Sequence, residues 1–471
     1  MKTQIKSYSL IFLLSVLSAC KVSKDIPAPQ AQLPIAFANM AAADTSSIAD
    51  LPWKSLFTDV TLENLIDSAI VKNYDMQVAV KNMEAAQLLV KQVKWNNVPV
   101  IGLNATASTS RPSDNSLNGL SLKSYDIGTN HIEDYATSLN ISWEADIWGK
   151  IRNQSKSTLA AYLQTNEAKK LIQTNLVANV SRGYYNLLML NAQLNIAKKN
   201  VALNDSTLHI IKLQFDAGQV TSLAIQQAQA QQQAAAELIP QFEQGIALQE
   251  NALRILAGDL PSKIVLKSTL DEIAPGKNLP AGIPSALINR RPDVKSDELA
   301  LTIANASVGI SKAEMYPALR ITATGGVNSF KASNWFNIPA SLFGVVQGSV
   351  LQPLVQHKQL QTQYKTAVIE REKTVIRFRQ SVLNAVGEIS DALVKIDKLK
   401  QQQVIAVNRV NTLQQATANA GLLFKNGMAS YLEVITAQSN VLQSELELAS
   451  IKRSEWNAIS DLYRALGGGW N

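Results

Sequence analysis

Two stretches of this chain, Arg152 to Asp216 and Gln356 to Asn426, contain no proline and few glycines, and are rich in Leu, Ala, Gln, Asn and Lys. That composition favours helix. At 1.5 Å rise per residue, each run predicts a helix of about 100 Å, far longer than an ordinary globular core needs. Each run ends in a glycine-centred turn, Gly218-Gln219-Val220-Thr221 and Gly427-Met428-Ala429-Ser430. A second helical stretch follows each turn, Thr221 to Ala257 and Ser430 to Leu466, and predicts an antiparallel hairpin. Glycine ends the outgoing helix and Thr or Ser caps the returning one. Gln226 to Ala236, including Gln231-Gln232-Gln233, reads as coiled coil with small residues at the seam rather than as disorder. Alanine lets helices approach closely and glutamine still favours helix.

The body is written twice. Phe215-Asp-Ala-Gly218-Gln-Val-Thr-Ser-Leu223 recurs as Phe424-Lys-Asn-Gly427-Met-Ala-Ser-Tyr-Leu432, and Trp148-Gly-Lys-Ile151 aligns at the same offset with His357-Lys-Gln-Leu360. Val98-Pro-Val-Ile-Gly-Leu-Asn-Ala105 resembles Tyr316-Pro-Ala-Leu-Arg-Ile-Thr-Ala323. Matched landmarks in one order imply internal duplication, with the boundary in the Pro- and Gly-bearing stretch from Pro261 to Pro284. Each half begins with an amphipathic helix, Leu62 to Trp95 and Ser285 to Met315. Two short alternating segments follow, Val100 to Ser110 and Tyr135 to Ile147 in the first half, Leu319 to Phe330 and Leu342 to Val355 in the second. Leu139, Ile141 and Trp143 alternate with Ser138, Asn140 and Ser142, the period of a strand with unlike faces. A long polar loop, Arg111 to His131, joins the first pair. The expected organisation is a signal peptide over 1–19, a tether over 20–50, and structural repeats over 51–270 and 271–471.

Past the N-terminus no run of apolar residues is long enough for a membrane helix. A membrane crossing would have to use strands, and membrane barrels must close because unpaired N–H and C=O groups are costly in lipid. About eight strands is the practical minimum, so four strands must be pooled between copies. Residues alone do not fix how many copies. The long helices continue from the strand ends and would extend the barrel wall as a helical tube.

Lys2 and Lys6 precede an apolar stretch, Tyr8 to Leu17, and then Leu17-Ser18-Ala19-Cys20. Small residues before a cysteine at that place have the form of a bacterial lipobox, and Cys20 is the only cysteine. The expectation is a chain that begins at an acylated Cys20, each buried CH₂ adding about 0.8 kcal/mol of anchoring. Lys21 follows, so no aspartate there argues for inner-membrane retention. Residues 21 to 50, rich in Pro, Ala, Gln and Ser, read as an extended tether.

Other functions find little support. Charged residues make up 17% of the chain, the net charge is +7, and the densest basic spots are Arg290-Arg291 and Arg371 to Arg379. A nucleic-acid partner is not expected. His131, His209 and His357 lie far apart, so no metal cluster is proposed. No phosphate loop or nucleophile elbow occurs, and neither an enzyme nor a cofactor beyond the covalent lipid on Cys20 is expected.

Five motifs in order, Trp143-Glu-Ala-Asp-Ile-Trp-Gly-Lys150, Pro284-Ser-Ala-Leu-Ile-Asn-Arg-Arg-Pro-Asp-Val294, Ala304-Asn-Ala306 with Lys312-Ala-Glu-Met-Tyr-Pro317, Tyr431-Leu-Glu-Val-Ile-Thr-Ala-Gln438 and Leu462-Tyr-Arg-Ala-Leu-Gly-Gly-Gly-Trp470, resemble the TolC-like outer membrane efflux factors. The likeness is to the NodT-type lipoprotein branch serving resistance-nodulation-division pumps, and it covers nearly the whole mature chain. It implies a mainly α fold with a membrane β-barrel: a homotrimer with a twelve-stranded barrel and a helical periplasmic tunnel, closed at its periplasmic end. The function implied is a passive exit duct for drugs, toxic compounds or metal ions, in outer-membrane lipid, with a periplasmic adaptor and an inner-membrane pump as partners.

The resemblance also assigns roles. The turns Gly218, Gln219, Val220, Thr221 and Gly427, Met428, Ala429, Ser430 become periplasmic tips that meet the adaptor. Glu433 matches an acidic gate position, and Thr436 stands where many relatives carry a second acid, which thins the acidic ring. Ser430-Tyr-Leu-Glu433 is equally a capping box serving its own helix, so both roles of Glu433 stay open. Arg290-Arg291-Pro292-Asp293 reads as structural, because adjacent arginines need carboxylate partners where a proline interrupts the helix. Trp143 and Trp148 suit a membrane interface. His357-Lys358 replaces the paired glycines usual in relatives at the second strand-to-helix bend. A type I secretion channel, a periplasmic adaptor and a structural coiled-coil lipoprotein stay as alternatives.

Overall fold

The computed structural model describes residues 47–124, 130–273, 280–282 and 290–470. Cys20, the tether up to residue 46 and the start of the Pro284 motif lie outside the described residues. The elements run α1 (Trp53–Leu56), α2 (Val60–Lys72), α3 (Tyr74–Val93), β1 (Val100–Ser110), α4 (Leu117–Ser124), β2 (Ile132–Glu144), α5 (Lys150–Asp216), α6 (Ser222–Leu256), α7 (Pro292–Ala313), β3 (Ala318–Ser329), β4 (Leu342–Leu351), α8 (Gln359–Lys425) and α9 (Tyr431–Ala465), with short 3₁₀ turns between some of them. The outgoing helices α5 and α8 each have 67 residues and the returning helices α6 and α9 each have 35. Equal lengths at equal offset are what an internal duplication leaves.

Contacts divide the chain into two compact units, and each draws on both repeats. The first gathers Ala85–Tyr162 and Leu299–Ile376. The second gathers Leu163–Glu298 and Arg377–Asn471 with the described N-terminal residues up to Glu84. The first unit holds one antiparallel sheet in the order β1-β2-β3-β4. The middle pairing joins the repeats: Ile141 pairs with Ala323 and Leu139 with Gly325.

The second unit is helical. In α8 the buried residues Phe378, Val382, Ala385, Ile389, Ala392 and Ile396 alternate in steps of four and three, resumed by Ala406 and Val410. That spacing is the heptad seam of a left-handed coiled coil. In α6 the buried positions are Ala224, Ala228, Ala235 and, near its end, Leu253, so the Gln-rich stretch is helical with an alanine seam. An aromatic core lies elsewhere in the unit. Tyr185 stacks on Trp456 at 4.6 Å, and Phe57 meets the edge of Tyr463 at 5.9 Å.

Several expected boundaries are corrected. The helix expected over Leu62 to Trp95 is broken at Asn73. Its side-chain oxygen caps α3 by accepting from the N–H groups of Asp75 and Met76, and its amide donates to the Leu256 carbonyl. The second strand runs from Ile132 to Glu144, not Tyr135 to Ile147, because its pairing with β1 carries Ser110 opposite Ile132. The fourth ends at Leu351 rather than Val355: Pro353 has no N–H to donate to a ladder. The Arg111 to His131 loop contains the helix α4.

Candidate functional site

The sheet has two unlike faces. Alternation and register put Ile101, Ile141, Ala323 and Val346 in one row, and Leu103, Leu139, Gly325 and Gly344 in the next. Both rows lie on an apolar face. The opposite face carries Asn104, Ser138, Asn140, Ser142, Thr322, Thr324, Gln347 and Ser349, interrupted by Val100 on β1 and by Phe343 and Val345 on β4. Across it Thr324 Oγ1 donates to Asn140 Oδ1 at 2.9 Å. All residues of β1 and β4 are exposed within the single chain, and these two strands form the sheet edges among the described residues. Long exposed apolar edges do not persist in water; they pair, or they aggregate.

At the strand-to-helix junction the first repeat is held by side chains. Asp146 accepts from the N–H groups of Ile151 and Arg152, both at 2.9 Å, and so caps α5. Gly149 takes φ 78° to let the chain turn. Trp143 Nε1 donates to the Asn97 carbonyl at 2.9 Å and Trp148 Nε1 to the Pro317 carbonyl at 2.7 Å. The Trp148 ring lies 4.9 Å from Tyr316. In the second repeat His357 and Lys358 take the turn at φ 49° and 61°. Sequence reasoning missed the cap of Asp146; its signal was an acid a few residues ahead of a long helix.

Both tips are glycine-terminated. Gly218 (φ 73°) and Gly427 (φ 72°) close their helices, with Gln219 N–H donating to the Gln214 carbonyl and Met428 N–H to the Leu423 carbonyl. This is the six-to-one bond of a Schellman motif. The hairpins pack on each other through Ile211, Ala224, Ala228, Phe424 and Val434, with Val220 and Ala429 at the margin. Tyr431 Oη donates to Gln227 Oε1 across the pair at 2.7 Å. The structure thus brings the two predicted tip segments together.

Of the predicted gate residues, Glu433 is exposed, and its Oε2 accepts the Ser430 N–H at 2.6 Å, one arm of a capping box. Thr436, also exposed, donates to the Leu432 carbonyl of its own helix.

The arginine pair has the carboxylate partners expected of it. Arg291, its side chain 5% exposed, donates to both oxygens of Asp293, to Glu388 at 3.0 Å and to the Ala465 carbonyl at 2.9 Å. Burial works against the charges, yet the pairing holds Arg291 above and Asp293 below their ordinary pKa values. Arg290 reaches Asp50 at 2.7 Å. Arg290 is helical, Arg291 is not, and Pro292 starts α7, where its missing N–H costs nothing. A second polar lock joins Tyr184 Oη to Asp59 Oδ1 at 2.7 Å. Burial opposes ionisation of Asp59, but hydrogen bonds from Ser268, Tyr184, Leu62 and Thr61 hold its pKa below the usual carboxylate value. Burial first, then the Asp59 carboxylate, pushes the Tyr184 phenol well up. Among the described residues no group of His, Cys, Asp and Glu could hold a metal ion.

An open, two-faced sheet that continues into long helical hairpins defines a subunit of a membrane barrel channel. The profile of the family described as "Outer membrane efflux protein" matches residues 65–259 and 283–468, and the chain belongs to that family. The "Cation efflux system protein CusC" of Escherichia coli O6:H1 is 26% identical over 458 residues, 96% of each chain. The "Probable outer membrane lipoprotein SilC" of Salmonella typhimurium is 26% identical over 476 residues, 100% of this chain and 99% of that one. The solved outer-membrane channel OprN is 25% identical with a TM-score of 0.87, covering 96% of this chain and 100% of that one. The protein is an outer-membrane efflux channel component, with the barrel-and-helical-tunnel fold of that family.

Proposed function

We propose that three copies of this chain close a twelve-stranded barrel and a helical duct, through which drugs, toxic compounds or metal ions leave the cell passively. An inner-membrane pump of the resistance-nodulation-division class supplies the energy, and a periplasmic adaptor joins pump and duct at the tips around Gly218 and Gly427. The observation that carries the reading is the four-stranded sheet, with exposed edge strands β1 and β4 and unlike faces. A membrane barrel cannot leave such edges unpaired, and pairing β4 of one copy with β1 of the next satisfies both. The polar face then lines the lumen and the apolar face meets lipid. The conduit works without a cofactor and without chemistry of its own. The covalent lipid on Cys20 anchors each copy, a reading that the name of the relative SilC supports.

The gate reading of Glu433 joins its capping role rather than replacing it. An exposed carboxylate from each copy, gathered at one constriction, favours cations and resists closer approach. Native mass spectrometry of the full chain from detergent-extracted outer membranes tests the assembly. The expected species is a trimer of acylated chains starting at Cys20. A water-soluble monomer would refute the channel reading. For the gate, single-channel recordings of Glu433→Gln should show weaker cation preference; an unchanged preference leaves Glu433 as a helix cap only.

A further inference from the structure

The apolar face of the sheet continues past its strand ends. On β2 it runs from Tyr135 through Thr137, Leu139 and Ile141 to Trp143. A tilted strand of about nine residues spans the hydrocarbon layer, and membrane barrels carry aromatic girdles at both edges of that band. Trp143 stands at the helix-side edge of this strand. At the far edge, Tyr135 receives its aromatic partner from the β3–β4 connection. The Trp335 ring lies 5.4 Å from Tyr135 and stacks on Phe336 at 5.1 Å. Phe330, Phe336 and Ile338 on the same connection are 60%, 66% and 63% exposed, and Lys331 Nζ sits 5.6 Å from the Phe330 ring.

A connection that met only water would gain nothing from so many exposed aromatic and aliphatic side chains on one short segment. Its contact with Tyr135 puts the cluster on the side of the apolar face, not on the polar side that faces the lumen. Aromatic rings beside a lysine are the composition of a membrane interface, where rings sit at headgroup level and the long lysine stem carries its charge to phosphate.

We propose that the β3–β4 connection is a lipid-interface anchor. Phe330, Trp335, Phe336 and Ile338 seat in the headgroup layer of the outer leaflet, and Lys331 pairs with headgroup phosphate. The proposal rests on the channel reading and fixes which end of the barrel holds the outer interface, and by which segment.

The test uses nitroxide labels on the full chain in phosphatidylethanolamine–phosphatidylglycerol vesicles. Labels are placed at Phe336→Cys, at Ile141→Cys on the apolar face and at Gln347→Cys on the polar face, with the unsubstituted chain as background. Relaxation by oxygen, which concentrates in lipid, is compared with relaxation by a water-soluble nickel chelate. Oxygen should dominate at 141 and the chelate at 347. The label at 336 should lie between them, clearly more lipid-exposed than 347. Ile338→Cys repeats the reading if Phe336→Cys does not assemble. A label at 336 or 338 as water-exposed as 347, beside a lipid-exposed 141, overturns the anchor and leaves the channel reading standing. Ready disulfide formation between 336 positions of neighbouring copies also overturns it, because it puts the segment over the pore axis. Loss of lipid exposure at 141 itself refutes the channel reading and the anchor with it.

Discussion

The second strand-to-helix bend is built against the preference of its residues, and that preference can be measured. His357 and Lys358 hold φ 49° and 61°, where the first repeat places Trp148 and Gly149 and only Gly149 enters the positive region, at φ 78°. An L side chain in the left-handed region costs about 1–2 kcal/mol. Both side chains are exposed, so little packing offsets that strain. The double substitution His357→Gly, Lys358→Gly removes about 2–4 kcal/mol of strain. It returns about 0.5–1 kcal/mol per glycine through the freer unfolded chain. The net gain is about 1–2 kcal/mol. For 471 residues with about 2 cal/mol/K of unfolding entropy each, that gain raises Tm by about one to two degrees. The converse change, Gly149→Ala, puts a Cβ at φ 78° with the Arg152 guanidinium 2.7 Å away, and should lower Tm by about one degree. Far-ultraviolet circular dichroism melts of detergent-purified protein read both changes. They are run at one protein concentration, since assembly makes Tm concentration-dependent. A double-glycine variant that melts at or below the parent, beside a neutral Gly149→Ala, would refute the strain argument.

Three further outcomes follow from the locks in the helical unit and at the junction. Arg291→Met strands Asp293 and the Ala465 carbonyl without their buried partner and should cost about 3–5 kcal/mol, read as a fall in Tm and in the amount of folded protein recovered from outer membranes. Asp59 has a folded pKa below its unfolded one, so its contribution is complete at neutral pH and fades as pH falls through the range below ordinary carboxylate values; Asp59→Asn should lower Tm at pH 7 and flatten the acid limb of the Tm–pH curve. Asp146→Ala removes the cap of α5 at a cost of about 1 kcal/mol, and Asp146→Asn, which keeps one accepting oxygen but turns an NH₂ toward the other N–H, should recover only part of the lost Tm.

The long helices were legible because their signals are local. A proline-free run between a strand end and a glycine turn fixed α5 and α8 to within three residues at either end, and the period-two stretch Val100 to Ser110 gave β1 at its observed bounds. What escaped were features whose cause lies elsewhere in the chain. The break at Asn73 joins a local N-cap, accepting from Asp75 and Met76, to a bond to the Leu256 carbonyl that no pattern within Leu62 to Trp95 announces. The limits of β2 are set by its neighbour, Ser110 opposite Ile132; alternation assigns residues to faces but does not mark where pairing ends. At the candidate site the tips were readable from Gly218 and Gly427, since a positive φ selects glycine. The outer aromatic cluster was not, because Trp335 meets Tyr135 only after β2 and β3 have paired.

Because the two repeats share helix lengths, a position at which they differ marks a role that only one of them carries. The returning helices start at equivalent points, yet α6 has no acid in its first turn and α9 has Glu433. The equivalent of Glu433 is Ala224, which is wholly buried in the packing between hairpins. The equivalent of Thr436 is Gln227, which accepts a hydrogen bond from Tyr431 of the other hairpin. At this one position the first hairpin packs, while the second, whose Val434 packs as well, keeps the Glu433 carboxylate exposed. In the proposed ring of three copies the returning helices would contribute one such acid per chain rather than two. On the proposed gate reading the second hairpin of each pair would carry the charge, with the exposed Glu433 keeping its bond to the Ser430 N–H.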